Sequence, residues 1–199
     1  MSTRKEQYDG PLTNEEVKRL AEVFVRRVGA RIREFREMHG LSIATVRDEH
    51  GINVSQLSRI ENGKMNLTTK TAVRLAKILG VQPWDFYVPR ELAPDLRPKR
   101  RRRTPPSDES LERAHQAFQK QIGSRVRELR ELQGMSLMSL EAFSGIDVPK
   151  LRMVEAGKAN IRASTAIRLA DAIGVQPHEL YIPAEQSGIR LRSGDTDDA

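Results

Sequence analysis

Apolar residues recur every three or four positions near the start of the chain. This apolar stripe consists of Val17, Leu20, Phe24, Val28, Ile32 and Phe35. The spacing places them on one face of an α-helix. Thr13 and Glu16 have the spacing of a capping box, which predicts that the helix begins there. Inside the stripe, Gly29 predicts a break that divides the helix in two. Gly40 predicts its end.

The same pattern occurs a second time, 94 positions further along the chain. Residues 13–89 align with residues 107–183 without a gap, and about 30 of the 77 positions are identical. Similarity of this density indicates one structural unit present twice. We name residues 13–89 module 1 and residues 107–183 module 2. The second apolar stripe is Leu111, Ala114, Phe118, Ile122, Val126 and Leu129, interrupted by Gly123 and ended by Gly134.

Shorter helices are predicted after the first one in each module. In module 1, Ser42 is placed to begin a second helix and Asn53 a third, because short polar side chains cap helix N-termini. A fourth helix is predicted over residues 68–79, and Pro83 begins a last short helix. The equivalent positions of module 2 are Ser136, Asp147, residues 162–173 and Pro177. No segment alternates apolar and polar residues as a strand does, so the predicted fold class is all-α.

The second and third helices of each module form a helix-turn-helix motif, two short helices joined by a tight turn at a glycine. Ile52, Leu57 and Ile60 are spaced to face inward. The residues between them face outward, where they can enter the major groove of double-stranded DNA. The predicted DNA-binding residues of module 1 are therefore Asn53, Val54, Ser55, Gln56, Ser58 and Arg59.

Module 2 has different side chains at these outward positions. Met153 occupies the position of Arg59, whose guanidinium could donate two hydrogen bonds to a guanine. Pro149 has no backbone donor, and Asp147 places negative charge where a phosphate could lie. The candidates are Val148, Pro149, Lys150, Arg152 and Met153. The sequence favours module 1 for specific DNA recognition and leaves open whether module 2 binds DNA or serves dimerisation or ligand binding.

Both modules resemble the phage Cro/repressor family of helix-turn-helix regulators, also described as the xenobiotic response element type. The resemblance extends over residues 31–89 and 125–183, and two segments carry it: GLSIATVRDEHGINVSQLSRIENGK and GMSLMSLEAFSGIDVPKLRMVEAGK. It implies two tandem λ-repressor-like bundles of five helices, here with extended N-terminal helices. It also implies that the third helix contacts bases and that the turn after it contacts phosphate. That turn adds three candidates: Asn62, Lys64 and Lys158.

The resemblance further implies structural ion pairs between Arg36 and Glu61 and between Arg130 and Glu155. The chain departs from the family pattern at the second helix. There, Ile43 and Leu137 replace a glutamine that helps to bind phosphate, and Arg47 and Glu141 occupy a position where a small residue is common. These departures concern phosphate binding by the second helix and leave the predicted fold unchanged.

Positive charge is concentrated in module 1 and in the segment between the modules. The chain has a net charge of +7. Module 1 has 13 basic and 9 acidic residues, module 2 has 10 of each, and linker residues 90–106 have 7 basic and 2 acidic residues. The linker contains a basic run of Lys99, Arg100, Arg101, Arg102 and Arg103. The run is expected either to lie on phosphates or in a minor groove, or to be a solvated spacer.

Other classes of protein are disfavoured by the composition. The absence of cysteine excludes disulfides and thiolate metal sites. The N-terminus lacks the apolar segment of a signal peptide, and no apolar run is long enough to span a membrane. The histidines lack the spacing of metal ligands, and no catalytic motif is present. We therefore expect a cytoplasmic, nucleoid-associated protein without membrane contact, enzymatic activity, metal or cofactor. Residues 184–199 are expected to be a disordered tail.

The predicted function is sequence-specific binding of double-stranded DNA by a transcription regulator that acts as a repressor. The alternative is an antitoxin or regulatory adaptor whose second module binds a protein partner or mediates dimerisation. The first helix of each module is longer than a minimal five-helix unit requires. Its additional turns are expected either to pack locally or to form the contact surface of a homodimer.

Overall fold

The computed structural model describes residues 10–99 and 106–186, without the side chain of residue 49, and these residues form helices and no strands. The predicted all-α class is confirmed. Module 1 contains α1 (Asn14–Met38), α2 (Ile43–His50), α3 (Val54–Glu61) and α4 (Thr69–Leu79), followed by 3-10 helices at Pro83–Phe86 and Arg90–Leu92. Module 2 contains α5 (Asp108–Leu132), α6 (Leu137–Ser144), α7 (Val148–Glu155) and α8 (Ala163–Ile173), followed by 3-10 helices at Pro177–Leu180 and Ala184–Gln186.

The helices begin at the side chains that the sequence indicates. Thr13 and Glu16 form a reciprocal capping box at the start of α1. The hydroxyl of Ser42 accepts a hydrogen bond from the backbone N–H of Thr45 at 2.9 Å, which caps α2. Asn53 and Asp147 cap α3 and α7 in the same way. The fifth helix of each module begins at a proline as predicted and is a short 3-10 helix.

The predicted breaks at Gly29 and Gly123 are wrong, because α1 and α5 each continue through their glycine for 25 residues. Each glycine instead permits a close contact between helices. A Cβ atom on Gly29 would lie 2.2 Å from the carbonyl oxygen of Ile60, and one on Gly123 would lie 2.5 Å from that of Val154. The glycines therefore let the long helix approach the last turn of α3 or α7, the predicted recognition helices, and this contact fixes their position.

The two modules are packed together through a shared core. α1 packs against α8 of the other module, and α4 packs against α5. Buried apolar side chains of both modules belong to one continuous cluster. The additional turns of α1 and α5 thus contact the other module of the same chain. We name the contact of α1 and α4 with α5 and α8 the module interface.

Aromatic rings lie at the centre of the module interface. The rings of Tyr87 and Tyr181 stack with centroids 3.8 Å apart and an angle of 2° between their planes. Phe24 lies 6.0 Å from Tyr181, and Tyr87 lies 6.4 Å from Phe118. Tyr87 and Tyr181 are equivalent in the repeat, as are Phe24 and Phe118, so each contact recurs when the modules are exchanged. The modules are therefore related by an approximate two-fold axis near the two tyrosines.

The predicted domain boundaries remain a prediction. In the predicted linker, the structure describes residues 90–99 and 106, and the backbone N–H of Lys99 donates to the carbonyl of Gly80 at 2.9 Å. In the predicted tail, residues 184–186 form a 3-10 helix, and the indole of Trp84 donates to Gln186 at 3.1 Å. Residues 100–105 and 187–199 lie outside the described residues.

Candidate nucleic-acid interface

The outer face of α3 presents the candidate residues of module 1. Leu57 and Ile60 are buried beneath the helix, and Ile52 is buried in the turn before it, as the spacing predicts. Ser55 and Arg59 are exposed. Val54, Gln56 and Ser58 are half-buried, and the exposed side chain of Asn53 accepts from the backbone N–H of Gln56 at 3.0 Å. The candidates therefore form one surface, with the Arg59 guanidinium free to reach base edges.

A buried ion pair holds the C-terminal end of α3. Arg36 donates to both carboxylate oxygens of Glu61, at 2.7 and 2.8 Å, and also to the carbonyl of Leu41. The side chain of Glu61 is only 1% exposed. Hydrogen bonds to Glu61 raise the pKa of Arg36 above its ordinary value. A bidentate ion pair in this position fixes α3 relative to α1 and so keeps the outer face of α3 in one orientation.

Of the two residues in the turn after α3 that were predicted to contact phosphate, Asn62 makes contacts within the protein instead. Arg33 donates to the side-chain oxygen of Asn62 at 2.8 Å, and the Asn62 amide donates to the carbonyl of Ser58 at 2.8 Å. Lys64 is exposed, and its backbone N–H donates to the carbonyl of Arg59 at 2.8 Å. Asn62 therefore stabilises the turn, and the ammonium group of Lys64 remains available to a phosphate.

Module 2 has the same frame with a different outer surface. Arg130 donates to both carboxylate oxygens of Glu155, at 2.6 and 3.0 Å, as the sequence predicts. Ala156 replaces Asn62, and Arg127 pairs with Glu131 at 2.8 Å instead of reaching the turn. The outward candidates of α7 and the following turn are exposed, apart from Val148, which is half-buried: Pro149, Lys150, Arg152, Met153 and Lys158.

Charge at the beginning of the recognition helix differs between the modules. In module 2 the carboxylate of Asp147 caps α7 at the backbone N–H of Lys150, 2.9 Å away. A second carboxylate, that of Glu141, accepts from the backbone N–H of Val148 at 3.3 Å. Module 1 has a neutral cap, Asn53, and the basic Arg47 at these positions. Two carboxylates therefore lie at the start of α7, where they would repel a phosphate, and α3 has neither.

Comparison with known proteins agrees with this geometry. A protein-family model described as helix-turn-helix matches residues 32–83 and, separately, residues 126–180, which together are more than half of the chain. The chain belongs to the helix-turn-helix family. The family predicted from the sequence is thus confirmed, and both modules are members of it. DNA binding and transcription regulation are the functions of this class of protein.

One relative and one solved structure each match a segment of this helix-turn-helix protein. The relative is the uncharacterized HTH-type transcriptional regulator y4dJ of Sinorhizobium fredii (strain NBRC 101917 / NGR234). It is 33% identical over 75 residues, which are 38% of this chain and 97% of the relative. The solved structure is the restriction-modification controller protein C.AhdI from Aeromonas hydrophila, which is 35% identical. That match covers 33% of this chain and 98% of the other, with a TM-score of 0.32.

The structure also shows residues that the sequence did not single out. Arg33 holds Asn62, yet Arg33 has an identical counterpart, Arg127, that makes no such contact. The sequence signal for this difference was the replacement of Asn62 by Ala156, which removes the side chain that Arg127 could otherwise contact. Met138 is 75% exposed at the start of α6, where module 1 has Ala44. It adds a large apolar side chain to the helix-turn-helix motif of module 2.

The basic run begins inside the described part of the chain and continues beyond it. Lys99 is exposed, whereas Arg100, Arg101, Arg102 and Arg103 lie outside the described residues. Among the residues described, no cluster of histidine and carboxylate side chains could hold a metal ion. Across residues 10–99 and 106–186, no helix has the length and apolar character needed to cross a bilayer.

Proposed function

We propose that the protein is a sequence-specific regulator that binds double-stranded DNA by placing α3 in the major groove and represses transcription from the bound promoter. One observation carries this proposal. α3 exposes Ser55 and Arg59 on its outer face, while its inner face is fixed by buried Leu57 and by the pair between Arg36 and Glu61. A helix held in this way can present an arginine to guanine without first becoming ordered.

Repression is the regulatory outcome that needs the fewest additional contacts. A protein bound across a promoter excludes RNA polymerase from the same DNA, whereas activation requires a further surface that binds polymerase. We assign the cytoplasm, and within it the nucleoid, as the place of action. The protein needs no cofactor for this role in our proposal, since the contacts to DNA come from its own side chains.

The basic run of residues 99–103 supplies phosphate contacts in this proposal. Lys99 is tied to the end of α4 through the carbonyl of Gly80, so the run starts at the surface of module 1. Consecutive positive side chains next to a DNA-binding module favour binding to the backbone of the same duplex. Such contacts increase affinity for any sequence and carry little specificity.

Footprinting tests the proposal directly. The purified full-length chain is incubated with the DNA upstream of its own gene and, in parallel, with a pool of random duplexes from which bound sequences are selected. We expect protection of a discrete site whose sequence also emerges from the pool. Equal affinity for selected and random DNA would overturn the proposal. A reporter gene placed behind the protected site then tests repression, and increased transcription would show that the regulator is an activator.

A second candidate function is supported by the outer surface of module 2. Met138 and Met153 are 75% and 46% exposed, at positions where module 1 has Ala44 and Arg59. Exposed methionines are common on adaptable protein-binding surfaces. If module 2 binds a protein, the double variant Met138→Ser, Met153→Ser should retain affinity for DNA in vitro and lose regulation in cells. Loss of DNA affinity instead would place at least one of the two side chains on the duplex and contradict this candidate.

A further inference from the structure

We propose that one chain is a complete pseudo-dimer, which binds as a monomer to a non-palindromic operator built from two unequal half-sites. This inference rests on the proposed function, because it specifies the kind of DNA that the protein recognises. Four features of the described residues support it: the two-fold relation of the modules, their shared core, the position of both recognition helices and the unequal surfaces of those helices.

The module interface has the arrangement of a symmetric dimer inside a single chain. In a two-fold interface each contact between residues i and j is matched by one between j and i. Phe24 with Tyr181 and Phe118 with Tyr87 are such a matched pair of contacts. A residue meets its own equivalent only at the axis, and Tyr87 stacks directly on Tyr181. The same relation holds for whole helices, since α1 contacts α8 where α5 contacts α4.

The shared core makes this arrangement rigid. Tyr87 and Tyr181 are both buried, and burial raises the pKa of each phenol above its ordinary value. Polar contacts also cross the interface. Thr69 donates to the Asn160 side chain at 2.6 Å, and Lys77 donates to the carbonyl of Ser110 at 2.8 Å. The relative position of the modules is therefore set by packed side chains rather than by the length of the linker.

The segments that follow the two recognition helices meet at the module interface. Ile60 in the last turn of α3 and Met65 in the turn that follows line one small cavity together with Ile161 and Ala163 of module 2. The contact between Thr69 and Asn160 lies in the same region, immediately after each helix-turn-helix motif. α3 and α7 therefore flank the two-fold axis. In our proposal the two helices enter successive major grooves, which are about 34–36 Å apart along the duplex.

The two half-sites cannot be equivalent, because the outer surfaces of α3 and α7 differ. Arg59 can bond a guanine with two hydrogen bonds, whereas Met153 offers only apolar contact, for example to a thymine methyl. Module 2 retains exposed Lys150, Arg152 and Lys158, which can neutralise phosphates. We therefore expect one half-site with strongly specified bases, bound by module 1. The other, bound by module 2, is expected to be weakly specified and held mainly through its backbone.

The first test measures stoichiometry and spacing. Sedimentation equilibrium should show one chain of 22.5 kDa, free and on its selected operator. Inserting about 5 base pairs between the half-sites turns one of them to the opposite side of the duplex. Affinity should then fall about 10²- to 10⁴-fold, which is the contribution expected from linking two binding units. Inserting a full turn of about 10 base pairs moves the half-site along the same side, and a rigid pseudo-dimer should not tolerate that either.

The second test makes the two recognition surfaces alike. A variant carrying Asp147→Asn, Pro149→Ser, Lys150→Gln, Arg152→Ser and Met153→Arg has the outward residues of α3 on α7. All five positions are exposed, so the fold should persist. An unchanged far-ultraviolet circular dichroism spectrum verifies this. Selection from random DNA should yield an asymmetric operator for the natural protein and a palindromic one for this variant.

The outcomes separate this inference from the proposed function. A palindromic operator for the natural protein, two chains per site, or unchanged affinity after the insertion of half a turn would each overturn the pseudo-dimer while leaving the DNA-binding function intact. Absence of any sequence preference, in contrast, would overturn the proposed function itself. An asymmetric operator that stays asymmetric with the five-residue variant would show that α7 does not lie in a major groove, which contradicts the inference.

Discussion

Buried positions of the two modules keep their apolar or ion-pairing character, even where Phe35 becomes Leu129 or Ile60 becomes Val154, whereas outward positions of the recognition helix change in chemistry. Leu57 and Glu61 have identical counterparts in Leu151 and Glu155, and both ion pairs have the same two-pronged geometry. One residue away from a buried position, Arg59 is replaced by Met153. Packing inside a helical bundle restricts buried changes mainly to other apolar side chains, because every buried side chain contacts several others. The exposed surface is free of that constraint, so functional divergence after the duplication is found there.

The largest expected difference concerns the buried ion pairs. Removing a buried carboxylate leaves an uncompensated guanidinium, so Glu61→Ala should lower the free energy of unfolding by about 3–5 kcal/mol. Glu155→Ala should cost less, because the Glu155 side chain is 10% exposed while that of Glu61 is 1% exposed. Urea denaturation measures both, with Glu22→Ala on the exposed face of α1 as the control. Equal losses for Glu61 and Glu155 would show that burial does not distinguish the modules.

The next difference concerns the recognition helices themselves. Arg59→Ala should reduce affinity for the selected operator by about 1–3 kcal/mol and relax the preference at one base pair. Met153→Ala should have a smaller effect, because a thioether makes no directional hydrogen bond to a base edge. Titrations of both variants on the same operator provide the comparison. Equal losses would contradict the assignment of specific recognition to module 1.

The basic run should act on both half-sites alike. Replacing residues 99–103 with glycine and serine should make the slope of log affinity against log salt shallower by roughly 2–3.5, since each phosphate contact contributes about 0.9. Affinity for specific and random DNA should fall by similar factors. An unchanged slope would mean that the run is a solvated spacer. A collapse of the specificity ratio would instead place it in a minor groove.

The smallest expected effect is a pH dependence of stability that arises from module 2 and has no counterpart at the equivalent position of module 1. Burial, with a further contribution from Arg27, lowers the pKa of His178 below its ordinary value of 6.5. The unfolded chain therefore takes up this proton at a higher pH than the folded chain does. Stability should fall as the pH drops below about 6.5 and level off below the folded pKa. His178→Gln should remove this contribution, whereas Trp84, the equivalent in module 1, has no proton to gain. Urea denaturation of the natural protein and of this variant, between about pH 7.5 and about pH 5, covers the range in which an ordinary histidine titrates and measures the difference.

Most of the local structure could be predicted because its causes lie close together in the sequence. A capping side chain and the backbone N–H that it accepts from are three residues apart, as in Ser42 and Thr45. The inward and outward faces of α3 follow from the helical period alone. The glycines of α1 and α5 were misinterpreted because a lone glycine has two structural meanings, a break or a close approach. Only the position of the Ile60 carbonyl distinguishes them.

The module interface could not be predicted from these local rules. The long stripe on α1 showed that a partner surface existed, but the stripe is equally compatible with the same module, the other module or another chain. The signal that could have helped is the identity of Phe24 with Phe118 and of Tyr87 with Tyr181 in the repeat alignment. Large aromatic residues retained in both copies lie at the centre of the interface. The bases contacted by Arg59 depend on DNA, and no internal pattern specifies them.

The covalent connection between the modules also affects how a gene responds to this protein. For a homodimer assembled from separate chains, the amount of dimer at low abundance rises with the square of the number of molecules. Here both halves of the interface are parts of one polypeptide, so their association does not depend on abundance. If the chain binds its operator as the proposed pseudo-dimer, occupancy follows a simple hyperbola in the number of molecules, and a single newly made molecule can bind. In that pseudo-dimer a substitution in one recognition helix alters the contacts to one half-site and leaves those to the other unchanged, so the two half-sites can diverge independently.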